Sequence, residues 1–135
     1  MSATSKVEYL GNLRTELTHL KSGQTMHTDA PTDNNGQGAA FSPTDLVATS
    51  LASCMITVMG IKAGQHSIDI DGTEAIVKKE MSANPRRISA IRINIHFPKK
   101  YSEKECKLLE LTANTCPVIN SLSSEITTDI SFHYL

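Results

Sequence analysis

The stretch SPTDLVATSLASCMITVMGIKAG, Ser42 to Gly64, decides how this chain is read. Ser42 is a good N-cap, Pro43 suits a first helical position, and Asp45 completes an S-x-x-D capping pattern. The spacing predicts a helix to Ala63 with Gly64 as its C′ stop, roughly 30 Å long at 1.5 Å per residue. Its apolar positions, 46, 47, 51, 54, 55, 58, 59 and 61, cover more than one stripe. The segment has nearly the length of a membrane span. However, Asp45, Thr49, Ser50, Ser53, Thr57 and Lys62 interrupt it, so a buried helix is the expectation. Such a helix needs cover on nearly all sides, more than a few thin sheets of one short chain supply. A second subunit would supply it, and a homodimer is expected.

Outward from this helix, both flanks read as strands. Before it, KVEY, a turn at Leu10-Gly11-Asn12, LRTELTHL, a second turn at KSGQ and TMHTDA form a β-meander, with Leu13 and Leu17 on one face and Arg14 and Glu16 on the other. Residues 31–41, PTDNNGQGAAF, are a loop rich in Gly and Asn, long enough to hint at function or mobility. After the helix come SIDID, the strand EAIVKKEMS, the turn ANPRR and the strand ISAIRINIHF. In the last of these Ile91, Ile93, Ile95 and Phe97 point one way and Arg92, Asn94 and His96 the other. Ser102 and Glu105 form a second capping box, opening a helix faced by Leu108, Leu109, Thr112, Ala113 and Cys116. PVINSLSS follows as a short helix with Pro117 in its first turn, and EITTDISFHYL is the last strand. The order βββ-α-ββ-αα-β does not alternate regularly, which predicts an α+β fold in a single domain over 1–135.

Composition narrows the function classes. The net charge is −1, Trp is absent, and no basic run carries interleaved aromatics, so nucleic-acid binding is not expected. MSATSKVEYL has neither an apolar h-region nor a cleavage site, so no secretory signal is expected. Three cysteines without a C-x-x-C pair argue against a disulfide scaffold or a zinc site, and reduced thiols point to the cytoplasm. The five histidines show neither HxH nor HExxH spacing, and no GxGxxG, Walker loop or GxSxG occurs. Neither a metal nor a cofactor is expected.

The thiols are the remaining candidates. Cys54 lies mid-helix among Ser50, Ser53 and Thr57, where it is either a small packing residue or a reactive thiol that needs a stabilised anion. Cys116 precedes Pro117 at a helix start, where the amides and dipole favour a thiolate. By local chemistry it has the better case for a lowered pKa, against an ordinary buried cysteine at a helix–helix joint. Cys106, in SEKECK, reads as incidental.

FSPTDLVATSLASCM at 41–55, MSANPRRISAIRINIHFP at 81–98 and TCPVINSL at 115–122, in this order, resemble the OsmC/Ohr family of thiol peroxidases, closer to an OsmC-like branch. The resemblance implies an intertwined α+β homodimer around a long apolar central helix, with two sites at the subunit interface. It implies reduction of hydroperoxides, organic ones preferred, in defence against oxidative stress. Cys54 would attack the peroxide, Cys116 would resolve the sulfenic acid to a disulfide, and an external thiol or dithiol would reset the pair. In the family's peroxidase branch a Glu ten residues before the first Cys pairs with an activating Arg from the N-terminal strands. Thr44 stands at that position here, with Asp45 one residue on, and Arg14 is the only arginine among the first 85 residues. That departure keeps open a second reading: a small-molecule-binding or structural dimer of the same fold with little peroxidase activity.

Overall fold

The computed structural model describes residues 2–135, which fall into two compact units, one up to Val47 and one from Ala48 to Leu135. The element order is the expected α+β one.

The first unit is built on an antiparallel sheet, β1 (Ser5–Gly11), β2 (Arg14–His19) and β3 (Thr25–Asp29), in the order β1-β2-β3. The first turn sits at Asn12 and Leu13, one residue later than the sequence reading. Both residues have positive φ, 54° and 61°, the conformation whose twist suits a two-residue hairpin. In the next hairpin Thr18 faces Thr25, and counting back along that register sets Arg14 opposite Asp29. One face carries the rows Val7–Leu17–Met26 and Tyr9–Thr15–Thr28. The 31–41 loop contains a single 3-10 turn at Thr32–Asn34 and is pinned at its ends: Asp29 N–H donates to Phe41 O at 3.1 Å and Gly38 N–H to Ala30 O at 3.1 Å. Gly36 is required here, because a Cβ on it would lie 1.7 Å from Ala30 O.

Helix α1 (Pro43–Gln65) starts in the first unit and runs on into the second. Its length and apolar composition would suffice to cross a membrane. Ala48, Leu51, Ala52, Met55, Met59 and Ala63 form one buried stripe at helical spacing, whereas Val47 and Ile61 are exposed. The helix does not stop at Gly64. It continues to Gln65, Ser67 takes the left-handed position with φ 56°, and Ile68 N–H closes back on Ala63 O at 2.9 Å. This is a Schellman-type ending with serine rather than glycine at C′.

In the second unit β4 (Glu74–Ser82), β5 (Arg87–His96) and β6 (Thr127–His133) form a sheet in the order β4-β5-β6, antiparallel then parallel. A parallel neighbour needs a crossover. Helices α2 (Glu103–Ala113) and α3 (Pro117–Ser121) provide it. Strand β6 is shorter than read, and the β4–β5 turn contains a cis Asn84–Pro85 bond. Ile91, Ile93, Ile95 and Phe97 point into the core as their alternation predicts, and they share it with the α1 stripe, Leu109, Ala113 and Cys116. The capping box of α2 is complete: Glu105 N–H donates to Ser102 Oγ at 3.1 Å and Ser102 N–H to Glu105 Oε1 at 3.0 Å.

Candidate active site

Cys54 and Cys116 come from distant parts of the chain and meet in the second unit. Cys54 lies half-buried beside the buried stripe of α1, and Cys116 is wholly buried at the N-cap of α3. Neither is in a disulfide. The backbone of Cys116 is extended (φ −64°, ψ 142°), Pro117 follows at the first helical position, and the Ile119 N–H donates to Cys116 Sγ at 3.3 Å. The sulfur thus replaces the usual oxygen of a cap.

The chemistry of Cys116 corrects the local argument. Burial pushes its thiol above the ordinary value, and this outweighs the Ile119 and Val118 amides that pull it down. Cys54 acts in the same direction as burial, as a hydrogen-bond partner and as a charge. Helix-end amides stabilise an anion, but loss of hydration over the whole side chain is larger at a fully buried site. The two sulfurs are therefore close neighbours, and Cys54 adds to burial in opposing ionisation of Cys116.

The first unit carries a different polar centre. Arg14 opens β2, and its register partner on β3 is Asp29. Arg14 Nε donates to Asp29 Oδ1 at 2.8 Å and Nη2 to Oδ2 at 2.9 Å, a bidentate fork. Ala39 N–H adds a third bond to Oδ2 at 3.1 Å. Asp29 is 1% exposed, and the Arg14 bond above all, with help from Ala39, holds its carboxyl below the usual range. The Arg14 side chain keeps 34% exposure.

Asp45 has a capping role: its Oδ2 accepts the Ser42 N–H at 2.9 Å, and its own N–H donates to Ser42 Oγ at 3.1 Å. Thr44 adds a hydroxyl contact to Ser42 Oγ at 3.2 Å. The carboxylate of the Arg14 fork is thus Asp29, a residue that the sequence reading missed. The length of the second hairpin held the signal, since the Thr18–Thr25 pairing fixes Asp29 opposite Arg14. Among the described residues no group of three or more His, Cys, Asp and Glu is placed to hold a metal ion.

Comparison with known proteins bears on the family and the fold. A family model described as OsmC-like protein matches residues 36–131. A structure from Psychrobacter arcticus, named for an osmotic stress induced and detoxification response, is 51% identical, with TM-score 0.96 over 98% of this chain and 97% of that one. The fold is shared with an organic hydroperoxide resistance protein OsmC of Legionella pneumophila at 17% identity and TM-score 0.76, covering 97% of each chain. It is also shared with an organic hydroperoxide resistance protein of Elizabethkingia anophelis at 14% identity and TM-score 0.75, covering 100% of this chain and 99% of that one. No curated protein matches the sequence. With the family model matching most of its length and a half-identical relative sharing its whole fold, this chain belongs to the OsmC/Ohr family of OsmC-like proteins.

Proposed function

We propose that this protein is a two-cysteine hydroperoxide reductase that serves in oxidative-stress defence. The observation that carries the reading is the contact of a half-buried, free Cys54 thiol with the buried, free Cys116 thiol. Two fold neighbours named for organic hydroperoxide resistance support the substrate class. In the proposed cycle the Cys54 thiolate attacks the outer peroxide oxygen. The O–O bond breaks, the alkoxide leaves as an alcohol with one proton, and Cys54 becomes a sulfenic acid. The Cys116 sulfur then displaces the hydroxyl as water and forms the disulfide, which an external thiol or dithiol reduces. The raised pKa of Cys116 suits this order, because a protonated second thiol waits until the first has lost its negative charge.

Arg14 and Asp45 are assigned to the site on the family resemblance: Arg14 as the cation that favours the thiolate, Asp45 as the carboxylate nearest the family's Glu position. The fork on Asp29 supports Arg14 in this part, since a guanidinium held on two nitrogens presents its remaining donors in a fixed direction. We assign the reaction to a homodimer of single 1–135 domains in the cytoplasm, with a hydroperoxide and a thiol or dithiol reductant as partners. The exposed Val47 and Ile61 on α1 and Val7 and Tyr9 on the first sheet support the dimer.

The direct test treats reduced protein with one equivalent of cumene hydroperoxide and follows free thiols and intact mass. Rapid loss of two thiols and two hydrogens per chain, without intersubunit crosslinks, is the expected result. Thiols that persist for hours would overturn the peroxidase reading. They would favour the second one, a binding or structural dimer, for which the capping role of Thr44 and Asp45 is the motivating observation.

A further inference from the structure

A groove of about 710 Å³ lies in the second unit, between the residues that follow α1 and one face of α2. Its volume falls within the range of roughly 300–1,000 Å³ that holds small molecules. His66 and Ile68 line one side, and Lys104, Lys107, Leu108 and Leu111 the other. Neither Cys54 nor Cys116 lines it, so it is separate from the thiol pair.

The α2 side has a head-to-tail polarity. Lys104 and Leu108 are four residues apart, as are Lys107 and Leu111, so each cation sits one turn before an apolar side chain on the same face. Among the described residues neither lysine has an ion-pair partner. Glu105 is the one carboxylate on the wall, and it accepts the Ser102 N–H in the capping box. The groove lining therefore carries two cations against one carboxylate, while Glu103 of the same first turn does not line it. Beyond these charges lies an apolar floor of Ile68 and Leu108, with Leu111 left 63% exposed.

We propose that this groove binds an amphipathic anion: a carboxylate head between Lys104 and Lys107, and a single hydrocarbon chain over Ile68, Leu108 and Leu111. The charge complement selects an anion over a neutral chain, and the apolar floor selects a chain over a bare anion. This inference does not depend on peroxide chemistry.

The test is an amide-shift titration of the full reduced chain with octanoate, octanol and butyrate. Octanoate should saturate shifts at 66–68 and 102–111, at least fivefold more tightly than octanol and tenfold more tightly than butyrate. Raising the salt from 0.05 to 0.5 M should weaken octanoate several-fold. Lys104→Gln with Lys107→Gln should weaken it at least fivefold, and Leu111→Gln at least threefold. All three side chains are exposed, so these variants keep the fold. Equal binding of octanol and octanoate, an unchanged affinity in the double lysine variant, or saturable shifts confined to other residues would overturn the proposal. So would shifts at 102–111 that follow protein concentration rather than octanoate, since a second copy would then occupy the groove.

Discussion

Cys54 and Cys116 share one residue type and differ in surroundings, and that difference supports the parts proposed for them. Cys54 keeps partial access to solvent, whereas Cys116 is sealed and its thiol is held neutral by burial. Cys54→Ser should lower peroxide turnover by roughly 10³-fold or more, as loss of a nucleophile does. Cys116→Ser should stop after the first step, so that dimedone adds once, at Cys54, in the mass spectrum. Dimedone addition at Cys116 in Cys54→Ser would reverse the order. Asp29 makes a separate prediction. Its carboxyl is lowered in the fold, so its stabilising contribution is present above the unfolded value of ~3.9 and is lost as pH falls through the folded value. Asp29→Asn should therefore lower the melting temperature at pH 7, with the gap to wild type closing below about pH 4. A gap independent of pH would show that packing rather than charge is at stake. Arg14 was legible as the sole arginine of its region, whereas Asp29, fifteen residues away, emerges only when the register of the second hairpin is counted back to Arg14.

At the scale of elements, local signals placed most structure and misplaced the ends. Both capping patterns, at Ser42 and at Ser102, form as the sequence indicates, because each needs only residues three apart. Gly64 looked like a stop for α1, yet the helix passes it and closes at Ser67. Glycine permits the left-handed conformation without requiring it, and the closure that forms brings Ile68 to the core, where it is 9% exposed. A serine at φ 56° is strained relative to glycine. Ser67→Gly should raise stability by about 0.5–1 kcal/mol, read as a higher urea midpoint with unchanged slope. A lower midpoint would mean that the serine makes a compensating contact.

For the whole molecule, the question raised by α1 is what covers its second face. One stripe is buried against β5 and its neighbours, while Ile61 remains 60% exposed. On the first sheet Val7 and Tyr9 stand 63% and 64% exposed. These exposed side chains on each unit support the homodimer proposed above. Ile61→Lys should shift the protein from twice the chain mass to the chain mass in sedimentation equilibrium, or at least raise the dimer dissociation constant by about tenfold for 1.4 kcal/mol lost. A wild-type protein that sediments as a monomer at micromolar concentration would refute the dimer.

By itself the sequence determined the order of elements, the α+β class, the inward face of β5 and the family, because periodicity, caps and short motifs depend on neighbours along the chain. The tertiary structure decided three things that are non-local. Hairpin register made Asp29 the partner of Arg14. The crossover through α2 and α3 set Cys116 against Cys54, and the burial that came with it reversed the acidity expected of Cys116 from its helix end. The physical reason is the same in each case: hydration, charge and reach at a side chain are set by what surrounds it in space, and its neighbours in sequence are only a small part of that.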